Sequence, residues 1–149
     1  MGTINNTYEI KVKPKKVFKY IEDIWKIQYH LSQIGIKLNL DIISENTFGV
    51  GATYHWYGNV LGTSIDSIVL IIKRINNKQI VCQSLSGFEF NVFLYFDAIN
   101  DVTAIDLTLN YLEPSDWSYN STNSLFHNMT LKKLIDLMFE TIKNSLEFE

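Results

Sequence analysis

The chain carries one cysteine, Cys82, in 149 residues. A lone thiol excludes an internal disulfide and fits a reducing compartment. No apolar stretch approaches the roughly 20 residues that a membrane-spanning helix needs; the most apolar run, Ile68 to Ile72, is far shorter. The first 15 residues are polar and contain lysine without an apolar run, so no secretory leader is expected and a cytoplasmic location is. No basic surface stands out either. The net charge is −3 and the pI about 5.6, which argues against a nucleic-acid partner. The densest positive cluster, Lys11, Lys13, Lys15, Lys16 and Lys19, falls where a strand meets a helix and reads as solvated element ends. There is no nucleophile elbow, glycine-rich phosphate loop or dinucleotide fingerprint, which disfavours hydrolase, kinase and dehydrogenase chemistry. The three histidines, His30, His55 and His127, lack any metal-ligand spacing, so no metal and no cofactor are expected. Repeats, low-complexity tracts and linkers are missing, and one domain spanning 1–149 is expected.

What the chain does have is a large apolar fraction, 46%, with 13% aromatic. That is enough for a full core. Its patterning alternates over most of the length. Tyr8, Ile10 and Val12 oppose Glu9, Lys11 and Lys13, which predicts a half-buried strand over 4–13. Pro14 suits the first position of a helix, where no N–H partner is needed. Two short helical pieces follow, through about Asp23 and from about Ile24 to Gln33, the second ended by Gly35. Strands are expected over about 36–45, 51–60, 63–75, 79–86, 88–97 and 104–111. Turns are expected at Leu61-Gly62, Asn76-Asn77 and Asn100-Asp101, since asparagine tolerates the left-handed conformation. Such short connections make the strands from about 51 onward antiparallel neighbours. Pro114 closes the sheet, and Trp117 and Tyr119 are available to fold back over it.

The last stretch, Ser124 to Glu147, is helical. Ser124 is the candidate N-cap. Leu131, Leu134, Ile135, Met138, Phe139, Ile142 and Leu146 then recur every three or four residues and form one apolar stripe. A helix of about 23 residues is roughly 35 Å long and needs a large apolar surface to lie on. The expected fold class is α+β: a curved antiparallel sheet of about seven strands around a long C-terminal helix, with two short helices between the first two strands.

Several local strings strengthen this. Pro14-Lys15-Lys16-Val17-Phe18-Lys19-Tyr20-Ile21-Glu22-Asp23, Gly49-Val50-Gly51-Ala52-Thr53-Tyr54 with Trp56, Thr108-Leu109-Asn110-Tyr111 with Pro114, and the helix from Leu134 to Glu147 occur in the order seen in one group of proteins. The chain resembles the START-like superfamily, also called the polyketide cyclase/dehydrase and lipid-transport superfamily, whose architecture is the helix-grip fold. That resemblance implies a hydrophobic cavity between the concave sheet and the long helix. It implies no reaction, because lipid carriers, plant-hormone receptors, aromatase/cyclases and chaperone-activating modules share no catalytic motif.

The expected cavity lining is Tyr54, Trp56, Phe88, Phe90, Leu107, Leu109, Tyr111, Leu134, Ile135, Met138 and Ile142. Within 51–60 the register is open, with His55 and Tyr57 as the alternative inward pair. Three functions are consistent with such a chain. The first is binding or carriage of a hydrophobic small molecule such as a lipid, isoprenoid or polyketide-like compound. The second is a cyclase or dehydratase in which His55 or Asp66 moves a proton, provided that one of them faces the cavity. The third is a co-chaperone-like module that binds a partner through an exposed apolar edge. Asp106 alternates with Ile105 and Leu107 and should face water. Leu137, Phe93 and Tyr95 lie off the apolar faces, either as a homodimer patch or as scattered surface residues.

Overall fold

The computed structural model describes residues 2–60, 63–112 and 121–148, with backbone only at 63 and 121–127. The elements are β1 (Gly2–Ile10), α1 (Pro14–Glu22), α2 (Ile24–Gln33), β2 (Lys37–Ile42), β3 (Thr53–Val60), β4 (Thr63–Ile75), β5 (Gln79–Ser86), β6 (Phe90–Ile99), β7 (Val102–Tyr111) and α3 (Ser121–Glu147). The seven strands form one sheet in the order β1-β7-β6-β5-β4-β3-β2, every pair antiparallel. This is the expected helix-grip architecture.

Local chemistry places the elements. Pro14 opens α1, which buries Val17, Phe18, Tyr20 and Ile21. Asp23 then separates the two helices and caps the second: its carboxylate accepts from the backbone N–H of Trp25 at 3.0 Å and of Lys26 at 3.3 Å, satisfying donors a helix start leaves unpaired. Asn77 and Asn100 take φ of 62° and 59° at two tight turns, as their positions in the sequence predict. The sheet curls because its ladders are irregular. The pairing of β4 with β5 shifts register at Ile68/Val69 and again at Ile71/Lys73, and such bulges bend a strand and increase its twist. Gly87, at φ 74°, lies beside this bend with the Asp66 carbonyl where a Cβ would sit.

Long-range polar bonds hold α3. The Asp136 carboxylate accepts from the Tyr8 hydroxyl at 2.5 Å and from Asn6 Nδ2 at 2.9 Å, both on β1. Next to them the Tyr8 ring stacks on Phe139, centroids 4.2 Å apart. Burial and the neighbouring Asp136 raise the Tyr8 phenol well above its usual range, so it remains a donor. On the other side, fully buried His30 of α2 joins α1 to α3. The Thr141 hydroxyl donates to the Met138 carbonyl at 2.7 Å. It therefore accepts from His30 Nδ1–H at 2.8 Å, which leaves Nε2 to accept from the Tyr20 hydroxyl at 2.7 Å. These bonds suit the neutral Nδ1–H tautomer.

Two sequence expectations are corrected. The helix begins at Ser121, so Ser124 lies inside it rather than at its cap; the helical rule for caps is local and does not count how far upstream the chain is already wound. β1 runs from Gly2 to Ile10 instead of 4–13, because the chain bends before Val12, whose carbonyl accepts from the Thr103 hydroxyl at 2.6 Å. The Leu61-Gly62 turn, Pro114, Trp117, Tyr119 and the side chain of His127 lie outside the described residues.

Two outcomes follow. Burial lowers the His30 pKa. The unfolded chain therefore binds a proton more readily, and this residue's contribution is complete above the ordinary value of about 6.5 and is lost as pH falls through the folded-state value. Thermal melts should show Tm falling between pH 7.5 and 5.5, with a shallower decline in His30→Gln. Gly87→Ala should cost roughly 1–3 kcal/mol from the left-handed φ alone, read as a lowered midpoint in urea.

Candidate functional site

Between α3 and the concave face of the sheet lies a cavity of about 290 Å³. Each wall is an apolar face that the sequence alternation marks. β3 contributes Tyr54 and Trp56, and β6 with the residues before it contributes Phe88, Phe90, Val92 and Leu94. β7 adds Leu107 and Leu109, and α3 adds Leu134, Ile135, Met138 and Ile142. The open register of β3 is thereby decided. Tyr54 and Trp56 point inward, whereas His55 and Tyr57 lie side by side with ring centroids 4.7 Å apart and line no part of the cavity.

Ten of the eleven residues expected to line the cavity do so, and Tyr111 does not. Tyr111 is buried at the end of β7, paired with Gly2 of β1. Its ring occupies the space a side chain at Gly2 would take. Its hydroxyl accepts from Asn128 Nδ2 of α3 at 2.9 Å. The missing side chain on β1 lets the phenol lean across the neighbouring strand toward the helix, behind Phe88, whose ring centroid is 6.2 Å away.

The lining also contains residues that the strand and helix patterns did not assign to it. Ile21 and Ile24 come from the junction of α1 and α2, Ile27 and Leu31 from α2, and Phe48 and Gly49 from the β2–β3 connection. The stripe of Ile24, Ile27 and Leu31 at spacings of three and four was the available signal. Phe48 carried none, since it lies in a segment without periodicity. Cys82 lines the cavity too, and burial pushes its thiol up to about 12. It stays protonated at neutral pH and acts as a small apolar group.

The candidate acid and base lie elsewhere. His55 Nε2 and Asp66 Oδ1 are 2.7 Å apart, with side chains 35% and 77% exposed. They pair across β3 and β4 on the outer face, because strand alternation that turns Tyr54, Trp56, Ile65 and Ser67 inward turns their neighbours out. Asp106 is exposed as expected and accepts from the Thr7 hydroxyl at 2.6 Å. Of the polar groups in the lining, Glu22 is held by Arg74 in a bidentate pair, Nε–Oε2 2.5 Å and Nη2–Oε1 2.9 Å. The Tyr54 hydroxyl donates to the Thr47 carbonyl at 2.9 Å. Trp56 Nε1 is the exception: buried, with no acceptor among the described residues. The same residues contain no group of three or more potential metal ligands. Leu137 and Tyr95 are exposed and Phe93 is half-buried.

No protein-family model matches the sequence, and no curated protein matches it. Solved structures do. A protein of Thermus thermophilus superposes with a TM-score of 0.78 at 13% identity, covering 96% of this chain and 95% of that one. The Aha1 dimer from Colwellia psychrerythraea gives 0.65 at 16% identity over 99% and 97%. A START superfamily protein from Mycobacterium smegmatis gives 0.63 at 15% over 97% and 94%. At such identities the likeness establishes the fold alone. The chain thus has the START-like helix-grip fold, with an apolar cavity between sheet and α3. None of its described helices is long and apolar enough to cross a membrane.

Removing the outer pair should be nearly silent. His55→Ala/Asp66→Asn should change stability by less than about 1 kcal/mol, as for exposed ion pairs. It should also leave uptake of a hydrophobic fluorescent probe unaltered in a direct titration. A loss of uptake would show that the pair communicates with the cavity.

Proposed function

We propose that this protein binds and carries a hydrophobic small molecule, of lipid, isoprenoid or polyketide-like character, in the cavity between sheet and α3. The observation that carries the proposal is the lining itself, which is apolar and aromatic on every side. Ligand sites are largely preformed apolar concavities of roughly 300–1,000 Å³ with few polar groups, and this one, at about 290 Å³, lies just below that range. Burying ligand surface contributes about 25 cal/mol per Å² before the costs of ordering.

Polarity inside the cavity is rationed. The Tyr54 hydroxyl and Glu22 are already engaged, Tyr111 is outside the lining, and Trp56 Nε1 is closed off from the cavity space. The cyclase or dehydratase alternative required an acid or base facing the cavity. His55 and Asp66 face away, Glu22 is committed to Arg74, and the Cys82 thiol is neutral. Among the described residues, no uncommitted acid or base lines the cavity for that alternative.

Native mass spectrometry of freshly purified protein should show a co-purifying adduct of small-molecule mass. Val92→Phe, which fills the cavity from β6, should weaken binding of a hydrophobic probe at least tenfold while Tm stays near that of the parent. A clean unliganded mass together with no uptake of lipids, quinones or flavonoids would falsify the carrier function.

A further inference from the structure

The cavity lining reaches the molecular surface at Phe48. Among the described lining residues this is the exposed one, 58% accessible, and the rest are buried or half-buried. Phe48, Glu22 and Ile24 are shared with a second, wider concavity of about 770 Å³ on the outside. That outer cleft is a chemically distinct surface. Lys15, Lys16, Lys19, Lys26 and Arg74 line it against Glu22 and Asp23, so five cations less two carboxylates leave +3 on a chain whose net charge is −3.

Both carboxylates are consumed within the fold. Glu22 is bidentate to Arg74, and Asp23 caps α2. The lysines therefore dominate the outward field of this face. Apolar side chains stand among them. Trp25 lines the same cleft and is 56% exposed. Ile43 and Val50, on the same connection as Phe48, are exposed too. Glu45 is the acidic side chain of that connection.

We infer that this lysine and aromatic rim around Phe48 is a docking surface for an anionic lipid bilayer. Lysines near a membrane are drawn to its negative surface potential, and tryptophan settles at the boundary between headgroups and acyl chains. Exposed Trp25 and Phe48 among lysines, on a chain that is acidic overall, match both conditions on one face. The inference draws part of its support from the proposed cavity function. A hydrophobic cargo dissolves in the bilayer, and an opening on the docked face lets it pass between bilayer and cavity without crossing water. A neutral surface would offer the positive field of this face nothing to bind. An acidic protein would have no use for the adjoining cavity mouth.

Vesicle co-sedimentation tests it with the full chain. Vesicles of phosphatidylcholine alone are compared with phosphatidylcholine and phosphatidylglycerol at 3:1, each in 50 and 500 mM NaCl. Partitioning should be at least tenfold stronger on the anionic vesicles in low salt and should fall to the neutral level in high salt. Trp25→Ser/Val50→Ser and Lys15→Glu/Lys19→Glu, all at exposed positions outside the cavity lining, should each weaken partitioning at least fivefold. Circular dichroism melts verify that they fold. Equal partitioning on both vesicle types overturns the inference. So does full partitioning by either folded variant, or vesicle-independent capture by an acidic protein alone. Probe uptake in vesicle-free buffer separates this from the cavity function. Uptake without partitioning sinks the docking surface alone, whereas partitioning without uptake sinks the carrier function and leaves the surface standing.

Discussion

One constraint governs this molecule: a straight helix is pinned to the edge of a sheet that curls away from it. α3 is about 40 Å long by its 27 residues. Its long-range polar fastenings reach β1, β7 and α2. Asp136 is held by Asn6 and Tyr8 of the edge strand, and Thr141 by His30 of α2. The bulged pairing of β4 and β5 bends the centre of the sheet, and the residues between helix and sheet face a gap. Leaving that volume unfilled costs on the order of several kcal/mol in lost packing, a large share of a domain's whole stability. A sequence selected for stability alone would have filled it with larger side chains.

The same bend sorts the polar groups. Alternation on a curved sheet sends every second residue to the convex face, and His55, Asp66 and Asp106 all go there. What remains near the concave side is neutralised locally: a guanidinium for Glu22, a carbonyl for the Tyr54 hydroxyl, burial for the Cys82 thiol. The interior is thereby neutral and greasy, with one indole N–H that has no acceptor among the described residues. The charge instead collects at the outer cleft by the opening, where α1 and α2 gather the lysines that look like ordinary solvated helix residues when taken one at a time.

Much of this was legible beforehand. The number and order of the strands, the two short helices, the long terminal helix and the asparagine turns follow from alternation, spacing and backbone tolerance, all properties of a few adjacent residues. The walls at Phe88, Phe90, Leu107, Leu109 and the α3 stripe were legible for the same reason. Tyr111 was not, because its ring follows the absence of a side chain on Gly2, over one hundred positions earlier in the chain. Nor was Phe48, which enters the lining from a connection whose path depends on the elements it joins. The choice between Tyr54 with Trp56 and His55 with Tyr57 depended on which side of β3 the helix would cover.

The order of elements and the apolar face of each were determined by the sequence alone, because periods of 2 and 3.6 residues are written into neighbouring positions. Whether those faces would meet or stand apart was decided only by the tertiary structure. That outcome depends on bonds such as Asn6 to Asp136, between residues 130 positions apart, and on the curvature that misaligned ladders impose. Neither leaves a trace in any short stretch of chain.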